Sequence, residues 1–383
     1  MPSRFRGPAT SCPSASCGPV RPAAPLTRTQ QRHERLRFDR DAIQHASRSA
    51  RHSRKPHLMS VATPAISIIV PTRNRPALLQ RALASIAAQQ MADFEVHVVD
   101  DGSDAEHRGA YAGLAEFDDA RFQLHLIGSA GQRGSGPSYT RNFGLARSRA
   151  GIVAFLDDDD VWLAPDHLRN MLAAFQAEPP ADAYISNQQA VLASGEVASR
   201  AWLPGLRAQS GPGPTAVGLA QLTQAGGFAH LNIYALRKSI ALASGGFWER
   251  TGYEEDRDFY WRTIDRCRTV VFNPAVIGQH NIPDRNRQQN ASTSHSQVER
   301  WLLSALVSQH IASEVASPAI SRMTRHYEGD ILRHLSRHFI AQGKSRTALP
   351  FARAALAARF SWKWLLYLLY IATLSLKHAS GPK

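Results

Sequence analysis

Cysteine is nearly missing from this chain: Cys12, Cys17 and Cys267 are the three in 383 residues. Three thiols build no disulfide framework, and no second CxxC pair completes a four-ligand zinc site. A reducing, cytoplasmic setting follows. Long apolar runs are also scarce. Trp362 to Leu376 spans 15 residues and is interrupted by Lys363. As a helix it would reach about 22 Å, short of the ~30 Å hydrocarbon core of a bilayer. It is read as a helix packed on the Ala-rich segment before it, or as a peripheral attachment to a membrane surface, and not as a span. No apolar stretch of signal-peptide type follows the first arginines, and no repeat of fixed period runs through the chain.

Acidic residues are scarce at one end. Residues 1–58 hold 12 Lys/Arg against Glu34, Asp39 and Asp41, so this segment carries +9 of the formal +14. Rich in Pro, Ser and Ala and without an apolar period, it has the composition of a disordered tail. Its Arg- and Ser-rich character is that of an organelle transit peptide, while translation starting at Met59 is an equally open reading. The high net charge invites a nucleic-acid hypothesis. The remaining 325 residues carry only +5, however, and their conspicuous clusters are acidic. The expected division is a basic tail over 1–60, a catalytic α/β domain over 61–295 and a helical region over 296–383.

With 43% hydrophobic residues, the chain can bury a large core. Ile66-Ser67-Ile68-Ile69-Val70 is a β-branched run ended by Pro71, and Pro76 opens an amphipathic helix. Strands are expected over 94–99, 122–127, 152–156 and 183–186, with helices over 138–149 and 166–176 between them. Alternating strands and helices predict a mostly parallel sheet with helices on both faces. In such sheets ligands bind beyond the carboxyl ends of the strands. The polar clusters fall at those ends.

Asp157-Asp158-Asp159-Asp160 follows an apolar strand. Four neighbouring carboxylates repel one another unless a cation offsets them, and oxygen ligands of this kind suit Mg²⁺ or Mn²⁺. A solvated turn capping the next helix is the plainer alternative. Asp100-Asp101-Gly102-Ser103 can accept hydrogen bonds from a nucleobase or ribose, or can form an Asx-type turn. Glu254-Glu255-Asp256 after Gly245-Gly246-Phe247 is either a first helical turn or the seat of a general base. His280, after a strand-like segment over 270–277, is a surface or core histidine unless other ligands join it.

Taken in order, these strings resemble family 2 of the glycosyltransferases, inverting enzymes with the GT-A fold, over about residues 65 to 265. Pro71-Thr72-Arg73-Asn74 is similar to the family's nucleotide loop, and Val98-Val99-Asp100-Asp101-Gly102-Ser103 to the motif whose second aspartate, here Asp101, meets the nucleotide base. Thr140-Arg141-Asn142-Phe143-Gly144-Leu145 and Phe155-Leu156-Asp157-Asp158-Asp159-Asp160 match the stretch leading to the DXD signature. The resemblance implies Asp159 as a metal ligand, with Asp157 and Asp158 helping to hold ribose and metal. It implies Asp256 as catalytic base and His280 as a late metal ligand. Arg141 is a candidate for phosphate neutralisation, a surface helix position being the alternative. Arg73 stands where some members carry an aromatic, which bears on donor choice. The implied partners are a nucleotide-diphosphate sugar donor and a glycan or lipid-linked acceptor, with Mg²⁺ or Mn²⁺ as cofactor, at work in the cytoplasm or at the inner face of the membrane. Two rivals remain: a nucleotidyltransferase, although Thr72-Arg73-Asn74-Arg75-Pro76 lacks the glycine its phosphate loop would need, and a nucleic-acid binder acting through the basic tail.

Overall fold

The computed structural model describes residues 63–208, 211–282 and 295–377. The readings made on the tail, Met59 included, lie outside the described residues. Thr63–Lys383 is one compact unit by its internal contacts. The first strand, β1 (Ile66–Thr72), is buried on both faces, as its β-branched run requires. Beside it lie β2 (Phe94–Asp101) and β3 (Phe122–Ile127) on one side and β4 (Ile152–Phe155) on the other, all parallel. The strand expected over 94–99 runs two residues further, so Asp100 and Asp101 are its last members.

Helices connect these strands: α1 (Pro76–Ala87), α2 (Ala105–Ala112) and α3 (Pro137–Arg147). Proline at the first turn starts both α1 and α3, where its missing N–H costs nothing. Gly144 lets α3 lie close on the sheet, since a Cβ there would sit 2.6 Å from Ile69 Cγ2. After β5 (Val161–Trp162) come α4 (His167–Gln176), β6 (Ala183–Val191) and β7 (Val197–Ser199). Short elements follow: α5 (Pro204–Ala208), β8 (Thr215–Val217) and α6 (Leu219–Gln224).

The expected parallel order then breaks. Strand β9 (Tyr234–Arg237) runs antiparallel between β4 and β6. It therefore begins where its neighbours end, and the segment 230–233 reaches the carboxyl edge of the sheet. Next come α7 (Lys238–Ala243), α8 (Glu255–Ile264) and β10 (Val270–Asn281), the last parallel to β6 and antiparallel to β5 and β8. Strand β10 is longer than the segment expected over 270–277, so His280 lies within it.

Four helices close the chain: α9 (Gln297–Glu314), α10 (Pro318–Ala341), α11 (Ser345–Ala358) and α12 (Trp362–Lys377). Ser296 caps α9 in a reciprocal pair with Glu299. Val307, Ile311 and Ile320 enter the same core as the sheet. Thus α9 and the start of α10 belong to the body of the domain. The later turns form a second cluster around Leu335, Ala352, Trp364 and Ile371.

Candidate active site

The carboxyl edge of the sheet gathers the polar strings. At the end of β1, Thr72 Oγ1 donates to Asp158 Oδ2 at 2.7 Å. Arg75 Nη1 reaches Asp158 at 3.1 Å and Asp159 at 3.2 Å. The β1 and β2 loops are tied together: Asn74 N donates to Ser103 Oγ at 2.8 Å, and Asp104 N to Asn74 Oδ1 at 2.9 Å. Asn74 adopts φ +55°, a conformation that asparagine tolerates better than most residues. Pro71, paired in register with Val99, positions this loop without offering a donor.

Asp101 serves a loop. Its two oxygens accept from the backbone N–H groups of Ser135 and Gly136, each at 2.8 Å. Arg73 Nη2 donates to Gln132 O in the same loop at 2.8 Å. Gly134 lies between the two side chains; a Cβ there would stand 2.4 Å from Asp101 Oδ2 and 2.5 Å from Arg73 Nη1. Asp101 and Arg73 thus both hold the 128–136 loop against the end of the sheet.

The Asp157–Asp160 loop follows β4 at the same edge. Burial pushes Asp158 up to about 6 even with Arg75 beside it. Burial and the charges of Asp160, Asp158 and Asp157 push Asp159 up to about 8. Burial alone would raise Asp157 too, but the Arg141 guanidinium and His230 hold it below the usual carboxylate range. Carboxylates outnumber the cations that face them here, and a bound divalent cation would offset the excess.

Asp160 is fully buried and has three donors: Asn281 N at 2.6 Å, His280 Nδ1 at 2.9 Å, and Asn232 Nδ2. With Nδ1–H given to a carboxylate, His280 keeps Nε2 as its coordinating atom, the usual arrangement behind a metal-bound imidazole. Burial would lower His280, but the hydrogen bond to Asp160 and the surrounding aspartates raise it. His230 lies 4.7 Å from His280, ring centre to ring centre, and its Nε2 is 3.8 Å from Asp157 Oδ2. Burial and the neighbouring His280 push His230 down to about 4, so it is neutral near pH 7 and able to ligate. Ligand atoms of Asp160, His230 and His280 all lie within 4.8 Å of one another. Carboxylate and imidazole donors together fit a divalent cation.

His230 and Asn232 were not singled out by the sequence reading. Asn232 Oδ1 accepts from Asp157 N at 3.0 Å, so this one side chain grips both ends of the acidic loop. No periodicity marks either residue; the reversal of β9 delivers them.

Arg141 is buried in α3, so the surface alternative does not hold. Its Nη2 meets Asp157 Oδ1 at 2.7 Å and its Nη1 meets Glu255 Oε1 at 2.9 Å. The acidic loop and the start of α8 are therefore one guanidinium apart. Asn142, next in sequence, exchanges hydrogen bonds with the backbone of Phe247, at 2.8 Å from its N–H and 2.9 Å to its carbonyl. Gly246, at φ +72°, makes room for that contact. Asp256 lies in the first turn of α8 and accepts from Arg257 N at 2.7 Å. Burial and the adjacent Glu255 push its carboxyl up to about 7.

A mixed sheet with this strand order, flanked by helices and gathering polar strings at its carboxyl edge, is a GT-A architecture. Crystal structures show the same fold: S. aureus TarS 1-349 in complex with UDP-GlcNAc superposes with a TM-score of 0.58 at 17% identity, covering 82% of this chain and 88% of that one. The mannosyltransferase PcManGT from Pyrobaculum calidifontis, in complex with GDP-Man and Mn²⁺, gives a TM-score of 0.51 at 20% identity over 87% of this chain and 86% of that one. Residues 67–219 match the sequence model of the family described as Glycosyl transferase family 2. The chain is 42% identical over 108 residues to the succinoglycan biosynthesis protein ExoW of Rhizobium meliloti (strain 1021), covering 27% of this chain and 32% of that protein. It is 39% identical over 101 residues to the GalNAc(5)-diNAcBac-PP-undecaprenol beta-1,3-glucosyltransferase of Campylobacter jejuni subsp. jejuni serotype O:2, covering 26% and 31%. The chain thus spans about a third of the length of these relatives.

Proposed function

We propose that this chain is an inverting, divalent-metal-dependent glycosyltransferase that moves a sugar from a nucleotide-diphosphate donor to a hydroxyl acceptor in surface glycan or polysaccharide synthesis. The observation that carries the reading is Arg141, which joins Asp157 of the acidic loop to Glu255 beside Asp256. Donor-binding and base-bearing segments far apart in sequence are thereby brought together.

In this reading Asp101, Arg73, Asn74, Thr72 and the 128–136 loop receive the nucleoside, and Asp157 and Asp158 the ribose side. Asp159 and His280 hold the cation, with Asp160 orienting the His280 ring and His230 as a further imidazole beside it. The bound cation supplies charge stabilisation for the diphosphate leaving group. Two imidazoles beside carboxylates favour Mn²⁺ over Mg²⁺. The Asp256 carboxylate takes the proton of the acceptor hydroxyl as that oxygen bonds to the anomeric carbon. The carbon–phosphate oxygen bond breaks on the opposite face, and its electron pair leaves with the nucleoside diphosphate. One displacement inverts the centre. A base brought to about 7 is suited to that proton transfer near neutral pH.

The activities of two relatives support the acceptor class: succinoglycan biosynthesis, and glucosyl transfer named for an undecaprenol-diphosphate glycan. A lipid-linked acceptor would bring the enzyme to the cytoplasmic face of a membrane. Neither the nucleotidyltransferase nor the nucleic-acid reading gains support from the comparisons.

A panel of nucleotide-sugars, each with Mn²⁺, Mg²⁺ or chelator, tests the proposal through donor hydrolysis and thermal stabilisation. At least one donor should stabilise the protein in a cation-dependent manner. The reading is overturned if no donor in the panel binds.

A further inference from the structure

Six of the fourteen large apolar side chains that stand exposed among the described residues fall between 360 and 376: Phe360, Trp362, Leu366, Leu369, Tyr370 and Leu376. They are 53% to 73% exposed. At about 100° per residue, Trp362, Leu366, Leu369, Tyr370 and Leu376 share one face of α12. Trp364, Ile371 and Ser375, on the opposite face, are buried, and Trp364 Nε1 donates to Ala352 O of α11 at 2.8 Å. The helix is therefore docked by one side and turns an apolar strip outward. A soluble surface helix does the reverse.

The segment that carries this strip bears charge of one sign. Residues 331–377 contain eight Lys/Arg and no Asp or Glu. Arg337, Lys344, Arg346, Arg353 and Lys363 are exposed, and Arg359 pairs with Asp330 at 3.0 Å. A second copy of the chain would bring the same positive charge against itself. Residues 1–58, at +9, would be repelled in the same way. An anionic lipid surface is the occupant that satisfies both the apolar strip and its cationic border. Trp362 and Tyr370 are of the type that settles at the level of lipid headgroups. None of the described helices is long and apolar enough to cross a membrane. A 16-residue helix lying in the interface plane needs no such length.

We infer that the outward face of α12 is a docking surface for an anionic lipid bilayer, with its Trp/Leu/Tyr strip in the interface and the basic residues of α10–α12 against the headgroups. This deepens the proposed function, since it rests on that reading for its purpose of meeting a lipid-linked acceptor, but its test needs no sugar.

The test is co-sedimentation of the full chain with vesicles of phosphatidylcholine alone or with 30% phosphatidylglycerol, at low and high salt. Binding should be at least tenfold stronger to the anionic vesicles and should weaken at high salt. L366E combined with L369E should lower vesicle partition at least tenfold, with the melting temperature and donor-induced stabilisation unchanged. The milder Leu366→Ser with Leu369→Ser serves if the glutamates disturb folding. Equal binding to both vesicle types, or binding that survives the substitutions, overturns the inference. So does a wild-type dimer in analytical ultracentrifugation that the substitutions split, because the strip would then be a self-association seam. Loss of donor binding by the wild type would sink the proposed activity alone.

Discussion

In the proposed mechanism Asp256 and Asp159 make separable demands, one as base and one as cation ligand. Asp256→Asn keeps the shape of the side chain and removes the base. Turnover should fall about 10²- to 10⁴-fold while donor affinity changes little, as read by steady-state kinetics and calorimetry. In the wild type the rate should rise with pH through about 7, because the base acts only when deprotonated. Asp159→Ala should instead abolish cation-dependent donor binding, whereas Asp160→Ala should weaken it by releasing His280. These outcomes separate a ligand from a residue that holds one, and calorimetry with and without Mn²⁺ distinguishes them. Gly134→Ala would press a methyl group onto Asp101 and Arg73 and should weaken nucleotide binding with little loss of fold stability. Most of these residues were legible because each motif is a contiguous string, at a strand end or, for Asp256, in the first turn of α8. His230 and Asn232 were not, since nothing within their own segment carries the signal.

At the scale of elements, the parallel strands β1–β4 could be read from their short apolar stretches, and α1 from its opening proline. The direction of β9 could not. A four-residue apolar strand reads the same either way, and only its partners on both sides set its orientation. Helix α4 hides a second such case. His167 is buried between Trp162 and Tyr184, with no hydrogen-bond partner for either ring nitrogen among the described residues. Burial pushes it down to about 3. Unfolded, it titrates near ~6.5, so its neutral state favours folding above that pH and the benefit drains away as pH falls toward 3. His167→Leu should raise stability by about 1 kcal/mol at pH 7.5 and flatten the pH dependence of melting between 7 and 5. Helix α9 matters differently: Ile311→Ala should cost about 2–5 kcal/mol, since Ile311 is fully buried in the main core. That loss, measured by denaturant unfolding, would mark α9 as part of the catalytic body.

For the whole molecule, net charge conceals three regions. The tail carries +9, residues 59–295 carry −3 and residues 296–383 carry +8. The middle region is the one that binds a cation in the proposed reading, and the last is the one that meets lipid. Binding of Mn²⁺ with a nucleoside diphosphate to the folded state alone should add about 2.7 kcal/mol at a hundredfold excess over Kd. The accompanying rise in melting temperature should vanish in Asp159→Ala. The regional division was visible in the counts, and the last apolar segment read either as a packed helix or as a peripheral attachment. Its apolar residues read equally as core until the packed and open faces of α12 were separated.

Arg141 has a mechanical consequence. A guanidinium is a flat, stiff plate, so its two terminal nitrogens keep a constant separation whatever the surroundings do. Asp157 and Glu255, each gripped by one of them, must travel together. The acidic loop and the helix that bears Asp256 are thereby geared to each other. A lysine in place of Arg141 would hold one and let the other drift.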